Sequence, residues 1–494
     1  MCLRTISLLA APIALVVLVC VFRVAGPSDL SQNHDQSKTM AYTADMVLHG
    51  RWVLPRDNRG DLTTKPVLVN WMGVAVVQAL QLVGLAWREW SLKMPTMLAG
   101  LLAVVVSMVA GYRLTRRAAD DLPGQPPPVY VACGAGLALA SSPVFVKHVY
   151  FLRPDMLAAA MLASGWLAAT VLLRDETKRP ATWAFVLWGC MGLAALTKGF
   201  TALLLPLYIL AAAKLVHGRF AAANRTRWYW GLPVAVALGL SWPVMVWFAD
   251  AQHLFGELLG DQTMQRFAGG GGVLTYLWGV AKGVVDLVGW PFEGVAVWYL
   301  AAIAVLFALP RRQWLGPVAG PAIVWCLCVW AFFLPLSSKG ASYVLPMYPA
   351  MAVLAAVAWL NLPRIAPPRR SLIGLSVVAA LSISSAVVYK TNFSRGARRG
   401  EAGSTLVAFA KRAQPRIGDQ PVSFVNLGNS PLVTLMGRHP GDDPLPDPEA
   451  PWVIELIPEA EDRAWDDFEF VSNAFQSRQT RYTDGPAVLT LRKR

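Results

Sequence analysis

Long apolar runs separated by short polar stretches make up most of the first 390 positions. A helix needs about 20 predominantly apolar residues to cross the hydrocarbon core of a bilayer, with some tolerance in length. We therefore predict an all-α bundle of about eleven transmembrane helices, with about thirteen as the upper limit. The predicted spans are 6–22, 91–112, 128–147, 155–173, 181–197, 199–213, 229–249, 291–309, 317–336, 343–361 and 371–389.

The apolar run over 67–84 is predicted to lie along the membrane surface rather than to cross the bilayer. At about 100° per residue, Asn70, Gln78 and Gln81 fall within an arc of about 80°, and such a polar stripe is typical of an interfacial helix. A second surface helix is predicted from about Ser37 to Leu48 by its helical spacing. Its apolar face is expected to hold Met40, Ala41, Ala44, Val47 and Leu48, and its opposite face Lys38, Thr39, Thr43 and Asp45.

The basic residues determine the predicted orientation, because Lys and Arg collect in the cytoplasmic loops of membrane proteins. If 67–84 lies at the surface, every basic cluster between spans falls on one side of the membrane. These clusters are Arg113/Arg116/Arg117, Arg174/Lys178/Arg179, Lys214/Arg219/Arg225/Arg227, Arg311/Arg312 and Arg364/Arg369/Arg370. That side is then the cytoplasm, so we expect a cytoplasmic N-terminus and a C-terminus on the outer, periplasmic side.

Composition agrees with a multi-pass membrane protein. Hydrophobic residues make up 55% of the 494 positions and charged residues only 15%, whereas soluble domains are about 25% charged. A soluble multi-domain enzyme and a disordered or fibrous chain are therefore excluded. The net charge of +14 is largely explained by the cytoplasmic loops, so no nucleic-acid partner is predicted. The six cysteines lie in or beside apolar runs, which argues against a disulfide framework or a zinc site.

The C-terminal stretch differs in kind, and 391–494 are predicted to form a small soluble α/β domain on the periplasmic side. Ala402–Ala413 has the spacing of an amphipathic helix. Strands are expected at Pro421–Leu427, Pro451–Leu456 and Ala487–Leu491. The chain thus divides into a membrane domain over 1–390, with its first outer loop at 23–90, and this second domain.

Each short predicted outer turn carries one Lys or Arg where the insertion rule expects few, namely Arg153, Lys198 and Lys339. The longer outer segments add Lys65 and Arg266. Cations at the depth of the lipid headgroups suit a lipid-linked phosphate, which Arg binds as a planar fork and Lys as a point charge. A carboxylate such as Asp35 suits a general base that takes a proton from an acceptor hydroxyl. We therefore expect the outer segments to meet around one cavity.

Six short motifs follow one another on this predicted outer side. They are Asp35-Gln36, Lys65-Pro66-Val67, Arg153-Pro154-Asp155, Thr197-Lys198-Gly199, Arg266-Phe267 and Lys339-Gly340-Ala341-Ser342-Tyr343. In these motifs the chain resembles the polyprenyl-phosphate-sugar-dependent membrane glycosyltransferases. That group includes the dolichyl-phosphate-mannose protein mannosyltransferases and the bacterial aminoarabinose transferases acting on lipid A. Each motif alone is weak evidence, but six in order are fairly specific.

The resemblance implies a type C glycosyltransferase fold and an inverting displacement on a polyprenyl-phosphate sugar. It implies Asp35 as the catalytic base, Lys65, Arg266, Lys339 and Tyr343 as donor-phosphate ligands, and Arg153, Asp155 and Lys198 as supporting residues. The lipid-linked sugar is then a co-substrate, no metal ligand is assigned, and a need for divalent metal stays open. The implied partners are this donor and an acceptor lipid, protein or glycan, and the implied location is the bacterial inner membrane.

Three positions depart from the family pattern. Gln36 replaces a second acid, Val67 replaces a Pro, and Gly340-Ala341 replaces Leu-Pro. Asp35 is the acid that remains to act as a base, so activity is allowed, but a non-catalytic homologue stays open. A membrane transporter or flippase of lipid-linked substrates is the other alternative, and it predicts repeated halves and helices broken near the bilayer midplane.

Some of these residues also have a purely structural interpretation. Lys65 fits an interfacial anchor whose apolar stem lies along apolar groups, and Lys198 fits a helix end at the headgroups. Arg153 and Asp155 fit a local ion pair that closes a turn, which contributes little if it is exposed. The sequence leaves these alternatives open.

Overall fold

The chain is mostly helical in the computed structural model. The structure describes residues 3–25, 34–85, 88–121, 127–261, 281–282, 315–336, 341–361, 409–425, 431–436, 438, 449–458, 469–472 and 487–493. The predicted spans at 291–309 and 371–389 lie outside the described residues, and so do the predicted site residues Arg266 and Lys339.

In the described part of the chain, ten α-helices precede Asp250. They are α1 (Leu3–Ala25), α2 (His34–His49), α3 (Leu68–Leu82), α4 (Glu89–Asp121), α5 (Pro128–Ala140), α6 (Pro143–Val149), α7 (Pro154–Leu173), α8 (Pro180–Lys198), α9 (Leu204–Leu215) and α10 (Trp228–Ala249). Short helical segments follow at Ala251–His253 and, with π geometry, at Leu254–Asp261. Two further apolar helices, Gly320–Phe333 and Tyr348–Asn361, fall within the last two predicted spans that the structure describes.

Five helices among the described residues are long and apolar enough to cross a membrane, or six if one bent pair counts as a span. The bent pair is α5 with α6, whose axes differ in direction by 73°. The sequence predicted one span over 128–147, and within that range the structure shows a break between α5 and α6. Ser142 takes an extended backbone conformation before Pro143, because the proline ring disfavours helical geometry in the residue that precedes it.

The helices α8 and α9 run in opposite directions, as the predicted spans at 181–197 and 199–213 require. Lys198, at the end of α8, contacts Asp155 at the start of α7. Tyr208 on α9 contacts Thr170 near the other end of α7, and Arg225 beyond α9 donates a hydrogen bond to the carbonyl of Leu173. The chain therefore reverses near Gly199.

The helix α7 lies at the centre of the bundle and α1 and α10 lie at its edge. In α7, 94% of the residues are buried in protein, against 11% of the apolar segment of α1 and 17% of α10. Exposed aromatic residues mark both ends of α10, with Tyr229 at one end and Trp247 at the other. At about 1.5 Å per residue these two lie about 27 Å apart, which matches a hydrocarbon core of about 30 Å with aromatic residues at both interfaces.

Small residues allow α8 and α10 to approach each other closely. A Cβ atom at Gly192 would lie 2.8 Å from the Leu238 side chain, and one at Gly231 would overlap the Trp188 ring. Helices inside membranes often associate through such small residues, because packing there replaces the hydrophobic effect between helices.

The helices α2 and α3 pack against each other, and this changes the predicted role of their polar residues. The Asn70 side chain on α3 donates hydrogen bonds to the Thr39 carbonyl and the Thr43 hydroxyl on α2. Thr39, Thr43 and Asp45, predicted to lie on the face opposite the apolar one, are buried. Gln78 and Gln81 remain exposed. The 15 residues of α3 span about 22 Å at 1.5 Å per residue, which is shorter than a full crossing.

The described C-terminal residues contain a four-stranded sheet with the order β1-β2-β4-β3. The strands are β1 (Val422–Val425), β2 (Trp452–Pro458), β3 (Glu469–Ser472) and β4 (Ala487–Lys493), with a short helix Pro431–Leu435 between β1 and β2. The pair β1–β2 is parallel, and β2–β4 and β3–β4 are antiparallel. Three of these strands lie near the predicted ones, β3 was not predicted, and a helix over 409–417 covers one face.

The short helix Pro431–Leu435 joins this C-terminal unit to the helical bundle. Leu435 packs against the core of the C-terminal unit and also against an apolar cluster that includes Met40 of α2. Leu152, which precedes Arg153, belongs to the same cluster. The C-terminal unit therefore touches the part of the bundle in which two predicted site residues lie.

Candidate active site

Asp35 lies in the first turn of α2 and contacts two cations that come from distant parts of the chain. Its Oδ1 is 3.4 Å from Nζ of Lys65, and its Oδ2 is 2.8 Å from a terminal guanidinium nitrogen of Arg153. The Asp35 side chain is 32% exposed and that of Lys65 is 40% exposed, so both remain open to a ligand.

Arg153 links Asp35 to a second carboxylate. Its Nε lies 3.1 Å from Oδ2 of Asp155, and the other oxygen of Asp155 lies 2.5 Å from Nζ of Lys198. The Asp155 side chain is only 3% exposed. The contacts from Lys65 through Asp35, Arg153 and Asp155 to Lys198 therefore form one continuous ion-pair cluster.

Tyr343 completes this arrangement on the far side of Lys198. The Nζ of Lys198 lies 4.5 Å from the centre of the Tyr343 ring, a distance at which a cation is attracted to the face of an aromatic ring. The ring itself stacks on Phe333, with centroids 4.9 Å apart. All six predicted site residues that the structure describes, namely Asp35, Lys65, Arg153, Asp155, Lys198 and Tyr343, are thus brought together.

Local sequence explains why two of the cations stand at helix ends. Arg153 has an extended backbone and Pro154 occupies the first turn of α7, a position that proline favours because its missing N–H has no partner there. Gly199 ends α8 with a positive φ of 60°, which a residue without Cβ adopts readily. Arg153 and Lys198 are therefore held where the chain turns.

The loop that carries Lys65 is fixed by buried acids and by a histidine. The carboxylate of Asp45 accepts hydrogen bonds from Arg51 and from the backbone N–H of Arg56. The ring of His253, beyond α10, lies 3.0 Å from the carbonyl oxygen of Thr63. No local pattern indicated this role of His253, because 190 positions separate the two residues.

The electrostatic balance of the cluster favours an anionic ligand. Three cations and two carboxylates give the five charged groups a net charge of +1. Burial alone would raise the pKa of Asp35, but Lys65 and Arg153 outweigh it and hold this pKa below its usual value. Asp35 is therefore ionised at neutral pH, and its two oxygens are both occupied by cations.

Gln36, at the position of the missing second acid, is fully buried. Its Oε1 accepts a hydrogen bond of 3.0 Å from the backbone N–H of Leu152. The sequence identified the departure from the family pattern but could not show this contact. Among the described residues, no group of three or more His, Cys, Asp or Glu side chains is placed to hold a metal ion.

Three of the basic residues predicted to be cytoplasmic, namely Arg113, Arg174 and Arg225, lie at the opposite end of α7. Arg113 and Arg174 line the same small cavity there, and Arg225 binds the Leu173 carbonyl. The 20 residues of α7 correspond to about 30 Å at 1.5 Å per residue. The ion-pair cluster and these basic residues are therefore separated by about the thickness of a bilayer core.

A sequence relative was found among curated proteins, whereas no protein-family model matches the chain. The relative is the undecaprenyl phosphate-alpha-4-amino-4-deoxy-L-arabinose arabinosyl transferase of Shewanella sediminis, with 24% identity over 327 residues. The match covers 65% of this chain and 54% of that protein. The chain thus spans about half the length of this relative.

Solved structures extend the likeness to nearly the whole chain. The crystal structure of ArnT from Cupriavidus metallidurans bound to undecaprenyl phosphate has a TM-score of 0.62 and 20% identity, and covers 98% of this chain and 97% of that chain. The apo structure of the same protein gives a TM-score of 0.64 with 18% identity and the same coverage. The predicted resemblance is therefore confirmed at the level of the fold, which is a multi-pass membrane fold of the type C glycosyltransferase kind.

Proposed function

We propose that the protein is an inverting glycosyltransferase that moves a sugar from a polyprenyl-phosphate donor to a hydroxyl or phosphate acceptor at the outer face of the membrane. The observation that carries the proposal is the ion-pair cluster around Asp35, with its surplus positive charge at one end of α7. The ArnT-like fold and the arabinosyl transferase relative support the same class of donor.

In this reaction an acceptor oxygen attacks the anomeric carbon, and the bond from that carbon to the phosphate oxygen breaks. The electron pair leaves with the polyprenyl phosphate, and configuration at the carbon inverts. A hydroxyl acceptor gives its proton to Asp35. Lys65 and Arg153 then stabilise the negative charge on the leaving phosphate, since fixed cations assist most where charge develops. We assign Arg266, Lys339 and Tyr343 to the same phosphate.

The ion pairs of Asp35 with Lys65 and Arg153 have to break before Asp35 can act as a base. In the described structure Lys65 and Arg153 occupy its two oxygens, and they hold its pKa low. A bound donor phosphate competes for these cations with its own negative charge. As Lys65 and Arg153 turn to the phosphate, the pKa of Asp35 rises, so the base becomes effective when the donor is in place. Asp155 and Lys198 keep the far side of Arg153 fixed.

The organisation of the whole chain follows the same proposal. Residues 1–390 form the transferase domain with about eleven spans of about 20 residues each, and 391–494 form a periplasmic α/β domain. The N-terminus lies in the cytoplasm and the C-terminus in the periplasm of a bacterial inner membrane. The separation of the ion-pair cluster from Arg113 and Arg174 along α7 supports this orientation.

The test is turnover of radiolabelled polyprenyl-phosphate sugars by the purified full chain in nanodiscs, with free polyprenyl phosphate and the glycosylated acceptor as products. Asp35→Asn is expected to lower turnover of a hydroxyl acceptor by at least about 100-fold, the usual effect of losing a general base. Asp61→Asn is the matched control, because Asp61 lies in the same outer loop and is 60% exposed.

Two outcomes would contradict parts of the proposal. Equal turnover in the wild type and Asp35→Asn would remove Asp35 as the base and leave the transfer reaction standing. Movement of intact lipid-linked sugar across the membrane, with no free polyprenyl phosphate formed, would support the flippase instead.

A further inference from the structure

Two neighbouring residues of α2 contact two neighbouring residues of the turn before α7. The carboxylate of Asp35 pairs with the guanidinium of Arg153, and the amide oxygen of Gln36 accepts the backbone N–H of Leu152. One contact is an ion pair and the other is a hydrogen bond to the backbone. Together they fix both the position and the direction of the turn relative to α2.

The turn is also held by the packing of Leu152 in an apolar cluster and by the ion pair of Arg153 with Asp155. Two local backbone hydrogen bonds lie in this turn. The Phe151 N–H donates to the His148 carbonyl, and the Arg153 N–H donates to the Phe151 carbonyl. The hydrogen bond from Leu152 to Gln36 joins positions that are 116 residues apart. Leu152 and Gln36 are both buried, so water does not readily replace this bond, and its loss leaves a buried donor unsatisfied.

We propose that Gln36 is a positioning residue that holds the Leu152 backbone so that Arg153 reaches Asp35. This inference rests on the proposed transferase function and deepens it. Gln36 acts through Arg153 and does not itself touch the donor. Gln36 stands in place of the second acid of the family pattern. In this chain it then has a structural role, and its presence does not indicate a degenerate site.

An amide is better suited to this position than a second carboxylate would be. The five charged groups of the cluster carry a net charge of +1, and a third carboxylate would cancel it. An amide oxygen accepts the Leu152 N–H without adding charge. The surplus positive charge therefore remains available for the donor phosphate.

The first experiment measures amide hydrogen exchange over 150–153 in the full chain in nanodiscs. Gln36→Met keeps the side-chain volume but removes the acceptor, and exchange is expected to become about tenfold faster, the equivalent of one hydrogen bond. Gln36→Glu keeps an acceptor oxygen and is expected to retain wild-type exchange. Gln78→Met, on the exposed side of α3, is the matched control. Unchanged exchange in Gln36→Met would overturn the inference.

The second experiment separates positioning from a general loss of stability. Gln36→Met is expected to lower donor turnover severalfold when Arg153 is present, and to add little in an Arg153→Lys background, because coupled residues are not additive. Additive losses in the double variant would overturn the positioning role. A wild type that turns over no donor would contradict the proposed function, whereas the exchange experiment would still decide whether Gln36 holds the turn.

Discussion

At the scale of single residues, the main feature is that each carboxylate of the cluster is shared by two cations. Asp35 lies between Lys65 and Arg153, and Asp155 between Arg153 and Lys198. Their exposure differs, since Asp35 is partly open and Asp155 is almost completely buried. We therefore expect Asp35 to take part in chemistry and Asp155 to maintain the geometry.

The pH dependence of turnover is a first test at this scale. Because the pKa of Asp35 is lowered, the base is ionised above that pKa, and activity is lost as the pH falls through it. The acid limb of kcat/KM, which reports the free enzyme, is thus expected below about pH 4, the ordinary range of Asp. The acid limb of kcat is expected at higher pH, because the donor phosphate draws the cations away.

Arg153→Gln should move the acid limb of kcat/KM to higher pH, since one of the two cations that lower the pKa is lost. Arg59→Gln is the control, because Arg59 is an exposed arginine in the loop between α2 and α3. Coincident acid limbs for kcat and kcat/KM would argue against release of Asp35 by the donor.

Asp155→Asn tests the structural role of the buried carboxylate. The substitution leaves Arg153 and Lys198 close together without the anion between them. Removing one partner of a buried charge cluster costs about 3–5 kcal/mol, so a clearly lower thermal unfolding temperature is expected for the full chain. Asp175→Asn, at a 71% exposed aspartate paired with Arg225, is expected to unfold within a degree or two of the wild type, since exposed pairs contribute about 0–1 kcal/mol.

At the scale of elements, the helices α2 and α3 support the site. The helix α2 carries Asp35 and Gln36 at its start, and its polar residues bind α3 through Asn70. The loop that follows α2 carries Lys65 and is attached to the bundle. The indole N–H groups of Trp71 and Trp242 bind the carbonyls of Trp52 and Val53 in this loop.

His253→Phe tests whether this attachment matters for donor binding. The substitution removes the hydrogen bond to the Thr63 carbonyl, two residues before Lys65. A bond of about 1 kcal/mol corresponds to about a fivefold change, so KM for the donor is expected to rise about fivefold with a smaller change in kcat. His217→Phe, near the opposite end of the bundle, is expected to leave KM unchanged. An unaltered KM in His253→Phe would separate the loop from donor binding.

At the scale of the whole molecule, charge is distributed between the two ends of α7. The ion-pair cluster lies at the start of this helix, and Arg113, Arg174 and Arg225 lie at its end. Under the positive-inside rule, the proposed orientation puts the second end on the cytoplasmic side. The C-terminal unit contacts α2 through Leu435, which agrees with a location on the same side as the cluster.

Single-cysteine labelling in intact cells tests this orientation. In a background without the native cysteines, Arg59→Cys is expected to react with a membrane-impermeant maleimide, and Arg116→Cys is expected to react only after the cells are permeabilised. Both positions are exposed in the structure, so accessibility reports the side of the membrane. Labelling of Arg116→Cys from outside would reverse the proposed topology.

The sequence alone predicted the membrane-embedded class and six residues that the described structure brings together around Asp35, and the surface placement of α3 stays a prediction. These predictions depend on local properties, because apolar length, helical spacing and the sidedness of Lys and Arg are all set by nearby positions. The sequence did not show the break between α5 and α6 or the burial of the polar residues of α2. Pro143 lies within the apolar run over 128–147 and breaks the helix there, and the partner helix α3 buries the polar residues of α2, so apolar length and helical period alone show neither effect.

The tertiary structure decided which oxygen meets which cation. Asp35, Lys65, Arg153 and Lys198 lie far apart along the chain, and no local pattern encodes their distances. Their meeting depends on the crossing of α2, α7 and α8, and on backbone contacts such as those of Gln36 and His253. The sequence thus determined the chemical types of the site residues. Their charge balance and accessibility were decided by the tertiary structure, because packing brings the helix ends together.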